Sequence, residues 1–140
     1  MALDDYLCLA LYTASRAMTA QYRGLLARTG LTYPQYLVMT VLWAEGPSTV
    51  GRLGARLRLD SSTLSPLLKR LESIELVTRT RSRHDERAVD VSLTAAGRRL
   101  SKRAAEVPRQ ICDATGMTVD QQARLVFQLR TLTDHLEPGP

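Results

Sequence analysis

The sequence predicts a mainly α-helical chain interrupted by one small β-hairpin. Through most of its length apolar residues recur every three or four positions, a spacing that keeps them on one face of a helix. The period drops to two only between Val77 and Leu93, where alternate side chains would face opposite sides of a strand. Cap-forming Ser, Thr and Asp and helix-stopping Gly and Pro stand between the periodic stretches. At 140 residues, 44% hydrophobic and 24% charged, the chain has the length of one domain and the composition of a folded protein.

The first helix is expected over Leu3–Leu26, with Leu7, Leu11, Ala14, Met18 and Leu25 on one face, Asp4 or Asp5 as its cap and Gly30 beyond its end. A second opens at Thr32 or Tyr33, because Pro34 suits the first helical turn, and closes at Gly46-Pro47. A short third runs from about Thr49 to Leu57. The fourth reaches about Ser73, with Leu64, Leu67, Leu68 and Leu71 forming its apolar stripe. Its start is open between a cap at Asp60, which places Pro66 beyond the first turn, and a cap at Ser62, which eases that clash. Val77–Arg81 and Ala88–Leu93 alternate around the polar loop Arg83-His84-Asp85-Glu86 and form the hairpin. Thr94 then caps a helix from Ala95 to about Thr115, and Thr118 caps a last one to about Leu136.

Net charge is +5 with a pI near 9.7, which favours a polyanionic partner. The arginines cluster: Arg79, Arg81, Arg83 and Arg87 follow one another around the hairpin, with Arg52, Arg56, Arg58, Lys69 and Arg70 upstream. No apolar run approaches the roughly 18 residues of a spanning helix, and the acidic start lacks the basic residues of a secretory signal, so the expected location is the cytoplasm, with no membrane partner. Cys8 and Cys112 stand at opposite ends, and His84 and His135 are isolated, so neither a structural disulfide nor a metal site is expected by default, and no cofactor is indicated.

Two short helices followed by a basic hairpin make a winged helix-turn-helix pattern, in which the second helix enters the major groove of DNA and the hairpin reaches beside it. The candidate contacts are Asp60, Ser61, Ser62, Thr63, Ser65, Lys69 and Arg70 on the helix and Arg81, Arg83, Asp85 and Arg87 on the hairpin. Hydroxyls and lysine suit base edges and phosphates, and arginines suit the negative potential of the minor groove. The expected division is a DNA-binding winged helix over about 32–93 and dimerisation helices over about 3–28 and 94–137. A homodimer carrying two recognition helices would bind a pseudo-palindromic double-stranded operator.

Leu59-Asp-Ser-Ser-Thr-Leu-Ser-Pro-Leu-Leu-Lys-Arg-Leu-Glu72, Leu76-Val-Thr-Arg79, Asp85-Glu-Arg87 and Leu93-Thr94-x-x-Gly97 resemble the MarR family in order and spacing. The resemblance spans nearly the whole chain. It implies that Asp85 and Arg87 hold the wing together and that Arg87 contacts DNA. The first third, Leu7-Cys-x-x-Leu-Tyr12, Ser15-Arg-x-Met18, Tyr22 and Leu31-Thr-Tyr-Pro-Gln-Tyr-Leu37, resembles the branch that senses organic hydroperoxides, OhrR. That resemblance implies a repressor whose Cys8 is oxidised by organic hydroperoxide, with Tyr22 and Tyr33 hydrogen-bonding to it. Some members also have a second cysteine that captures the sulfenic acid, often between subunits; the position of Cys112 matches it.

Geometry adds a constraint of its own. Tyr22 follows Cys8 by fourteen positions, so on one straight helix the two share a face but lie about 21 Å apart. If they meet, Tyr22 comes from a second subunit. Tyr12, one turn after Cys8, lies on the same face and is a candidate pocket residue. The helix start and phenol donors favour the thiolate, whereas Asp4, Asp5 and the neighbouring leucines oppose it. Two other functions remain open on the residues. One is a MarR-type regulator released by a phenolic or lipophilic ligand, with the cysteines incidental. The other is a thiol peroxidase, which would leave the wing unexplained and lacks a Cys-x-x-Cys.

Overall fold

A computed structural model describes residues 1–137, which form two compact units: Met1–Ala105, and a second that begins at Glu106. In the first unit the expected opening helix is divided. Leu3–Asp5 is a 3-10 turn, Tyr6 is extended (φ −77°, ψ 121°), and α1 runs over Leu7–Leu25. The Asp5 carboxylate accepts the Ala2 N–H at 3.2 Å, so that acid closes the preceding turn. Tyr6, not Asp4 or Asp5, is the N-cap, and it supplies no side-chain cap. Cys8 therefore sits in the first turn of α1.

Helix α2 (Tyr33–Glu45) begins on a reciprocal cap, in which Thr32 Oγ1 accepts from Gln35 N and Gln35 Oε1 accepts from Thr32 N. It ends at Gly46, whose φ of 79° is free of cost only for glycine. Next comes β1 (Ser48–Thr49), which pairs with β3 (Val89–Leu93) through Ser48↔Val91 and Thr49↔Asp90. The expected hairpin is thus part of a three-stranded antiparallel sheet of order β1-β3-β2, with β2 (Val77–Arg81) paired from Val77↔Leu93 to Arg81↔Val89.

Helix α3 (Val50–Leu57) is capped by Thr49, and Arg58 follows it in the left-handed region. Helix α4 (Ser61–Ser73) starts on Asp60, which settles its boundary and leaves Pro66 in the interior. The proline has no N–H for the Ser62 carbonyl, so that carbonyl lacks its helical donor. Buried Leu64, Leu68 and Leu71 hold α4 down, while Leu67 is half-buried. With Val38, Met39 and Leu42 of α2, Leu53 of α3, Val77 and Val91 they make the core of this unit.

Helix α5 (Ala95–Ala104) begins at Thr94, whose Oγ1 accepts from Gly97 N and donates to the Glu75 carbonyl, tying α5 to the turn after α4. The expected continuation to Thr115 does not form. α5 stops at Ala104, and a separate α6 covers Val107–Ala114. Pro108 explains the break, since it offers no N–H to Ala104 and its ring crowds that carbonyl.

The second unit holds α6 and α7 (Val119–Leu136), joined by a turn with Gly116 at φ 68° and a Thr118–Gln121 capping box. No residue of α7 is buried, and Leu125, Val126, Phe127 and Leu136 stand exposed on it. Among the described residues no helix is long and apolar enough to cross a membrane.

Candidate functional site

The polar face of α4 is organised by Asp60. Its Oδ1 accepts both the Ser62 hydroxyl and the Thr63 main-chain N–H at 2.8 Å. These bonds, the Ser62 hydroxyl first, hold the carboxyl below its ordinary range. Ser61, Ser62, Thr63, Ser65, Lys69 and Arg70 are exposed, opposite the buried leucines. These six expected contacts thus share the solvent side of one helix, and the seventh, Asp60, caps it through Oδ1.

The wing is β2, β3 and the loop between them. Ser82 N donates to Ala88 O at 2.9 Å, His84 N to Ser82 Oγ at 3.2 Å, and Ala88 N to Asp85 O at 3.0 Å. The Asp85 carboxylate accepts the Arg87 main-chain N–H at 2.9 Å. Asp85 therefore braces the turn through the backbone of Arg87. Arg81, Arg83 and Arg87 are exposed. A cleft of about 570 Å³ lies between α3, α4 and the wing, and Ser61, Ser65, Arg79, Asp85 and Arg87 line it. Residues twenty positions apart in sequence are thereby brought to one concave surface.

Two residues of this surface escaped the sequence reading. Arg79 Nη2 and Nε donate to Glu72 Oε1 and Oε2 at 3.1 and 3.4 Å, joining β2 to α4. The pair holds the Glu72 carboxyl below its usual range, chiefly through that hydrogen bond. Both residues were visible as charges, but their seven-residue separation signals a pair only when the turn between them is known.

The residues assigned to redox sensing divide into groups. Tyr22 of α1 and Tyr33 of α2 stack with centroids 4.3 Å apart and planes at 22°, and Tyr36 lies 5.7 Å from Tyr22. Burial, then the neighbouring Tyr36, pushes the Tyr33 phenol up, so it keeps its proton and stays a hydrogen-bond donor at neutral pH. Tyr36 is itself buried and was read only as part of a motif. Tyr12 is exposed, with the Arg16 guanidinium 5.5 Å above its ring. Cys8 and Cys112 are exposed free thiols, the first on α1 and the second on α6 of the other unit. Cys8 stands fourteen residues before Tyr22 on the same helix, about 21 Å by helical rise, so the tyrosine pair of a chain is out of reach of that chain's own Cys8.

Comparison with known proteins agrees with this architecture. Residues 21–104 match the family model described as transcriptional regulator SarA/Rot. The chain is 47% identical over 135 residues to the HTH-type transcriptional regulator TtmR of Methylorubrum extorquens, covering 96% of this chain and 69% of that protein. It is 43% identical over 136 residues to the organic hydroperoxide resistance transcriptional regulator of Bacillus subtilis, covering 97% and 92%. Among solved structures, AbfR, crystallised from Staphylococcus epidermidis, is 34% identical. Its reduced, DNA-bound form superposes with a TM-score of 0.80 over 96% of this chain and 94% of that one; its disulfide form gives 0.66 over 98% and 93%. With a matching family model over 21–104 and relatives this similar along nearly its full length, the chain belongs to the SarA/Rot family of winged-helix transcriptional regulators of the MarR type.

Proposed function

We propose that this protein is a DNA-binding repressor that releases its operator when organic hydroperoxide oxidises Cys8. The observation that carries the redox half is the Tyr22–Tyr33 stack, two phenols held together on α1 and α2, about 21 Å by helical rise from Cys8 of the same chain. The site becomes complete if an antiparallel partner subunit brings its Cys8 to that pair. Exposed Leu7, Tyr12 and Met18 on α1 supply apolar surface for such a partner, and Phe127 and Leu136 of α7 supply more. The names of the Bacillus relative and of the reduced and disulfide forms of AbfR support the same reading.

On the DNA side, the exposed face of α4 enters the major groove and the wing, with Arg81, Arg83 and Arg87, the minor groove. In the redox step the Cys8 thiolate attacks the terminal, hydrogen-bearing oxygen of the hydroperoxide R–O–O–H. The O–O bond breaks, Cys8 becomes a sulfenic acid, and the alkoxide takes a proton to leave as an alcohol. The Cys112 thiol then displaces water from the sulfenic acid and a disulfide forms, most simply between subunits. One hydroperoxide is consumed for each Cys8–Cys112 pair oxidised, as by a sensor and not an enzyme, in the reducing cytoplasm that resets it. A MarR-type ligand pocket is the weaker reading, because it leaves Cys8 and the paired phenols without a role.

The test is DNA binding before and after cumene hydroperoxide. Wild type should bind, release on oxidation and rebind after dithiothreitol. Cys8→Ser should bind equally well and stay bound; normal release by Cys8→Ser would end the proposal.

A further inference from the structure

Arg79 occupies a position that the DNA contacts assigned above leave unused. It lines the 570 Å³ cleft shared by α4 and the wing, and it also lines the shallow groove along the outer side of α4 with Ser61, Ser62, Ser65, Pro66 and Lys69. It is the side chain at the seam between the two DNA-reading elements. A helix in the major groove and a wing in the adjacent minor groove have one phosphodiester strand between them, and that strand must cross this seam.

The chemistry of the seam suits a phosphate. Glu72 binds the Nε and Nη2 side of the Arg79 guanidinium, which leaves Nη1 without a partner among the described residues. The planar fork is thus held in one orientation before any ligand arrives, so less side-chain freedom is lost on contact. Ser61 and Ser65 line both the cleft and the groove and bring hydroxyl-bearing residues to the same seam. Asp85, the acid of that cleft, accepts the Arg87 main-chain N–H at 2.9 Å.

We infer that Arg79, positioned by Glu72, clamps the phosphate that separates the groove read by α4 from the groove read by the wing. This rests on the DNA-binding reading. The probe is a duplex selected by the full-length wild-type protein from a random-sequence pool, made with each phosphate in turn replaced by an uncharged methylphosphonate. For wild type, one linkage between the two grooves should cost about tenfold in affinity, the worth of a charge-assisted hydrogen bond. In Arg79→Gln that particular cost should vanish, and the slope of log affinity against log salt should become shallower by up to about one. A variant that binds more weakly on every duplex, with the cost of that linkage and the salt slope unchanged, would reduce Arg79 to a structural residue and overturn the inference. If Arg79→Gln does not fold, Glu72→Gln replaces it: a loosened fork should lessen the penalty at that one linkage, and an unaltered penalty overturns the inference. Failure of wild type to select any duplex would instead sink the underlying DNA-binding reading.

Discussion

Asp60 shows how one side chain serves both stability and recognition. Its carboxylate closes the first turn of α4 by accepting the Ser62 hydroxyl and the Thr63 main-chain N–H, so the residues proposed to meet DNA stand on a turn that this acid holds. Because these bonds lower the folded-state pKa below the unfolded value of about 3.9, ionised Asp60 stabilises the folded chain above that pH. The contribution is lost as pH falls through the lowered value. Asp60→Asn keeps a capping oxygen without a titrating group, so its melting temperature should fall less steeply than that of wild type below about pH 4. An identical acid limb in the two proteins would show that this carboxylate does not couple to folding. The cap was one of two alternatives in the sequence, because Pro66 argued for Ser62. The structure accepts the interior proline, and the tertiary packing of Leu64, Leu68 and Leu71 outweighs one missing helical bond.

At the scale of elements, the motif Leu93-Thr94-x-x-Gly97 has a physical explanation. Thr94 links α5 to Glu75, and Trp43 Nε1 donates to the Gly97 carbonyl at 2.9 Å. A Cβ on Gly97 would overlap the Leu76 carbonyl oxygen and approach Leu93 Cδ2 to 3.2 Å. Gly97→Ala should therefore destabilise the fold by about 1–3 kcal/mol, read as a lower denaturation midpoint. A midpoint within error of wild type would mean that the approach of α5 to Leu76 and Leu93 relaxes at no cost. Helices α2 and α4 were legible because their apolar recurrence and stop signals are local, although the cap of each was left between two residues. The two-residue β1 was not, since two residues cannot show alternation and its partners on β3, Val91 for Ser48 and Asp90 for Thr49, lie in a distant part of the sequence. The breaks at Tyr6 and Pro108 were passed over for a different reason: the apolar spacing continues across them, although the backbone does not.

At the scale of the molecule, the sequence brought Cys8, Tyr22 and Tyr33 into one hypothesis, and the single chain assembles the tyrosines alone. What remained illegible is what sequence periodicity does not encode, namely which apolar faces meet a second copy. If Cys112 resolves oxidised Cys8 between subunits, non-reducing electrophoresis after hydroperoxide treatment should show a covalent dimer that disappears with dithiothreitol and in Cys112→Ser. A band that stays at monomer mass would exclude the intersubunit bond.

The central claim is that each Cys8 reacts beside the tyrosines of the other subunit, and mixing subunits tests it. One parent carries Cys8→Ser with its tyrosines intact; the other keeps Cys8 but carries Tyr22→Phe and Tyr33→Phe. Loss of phenol donors to the thiolate should slow oxidation of the second parent about tenfold. In mixed dimers the account predicts that Cys8 thiol loss regains a fast phase at the wild-type rate, because the surviving cysteine now faces intact tyrosines. Thiol loss that stays uniformly slow after complete subunit exchange would contradict it.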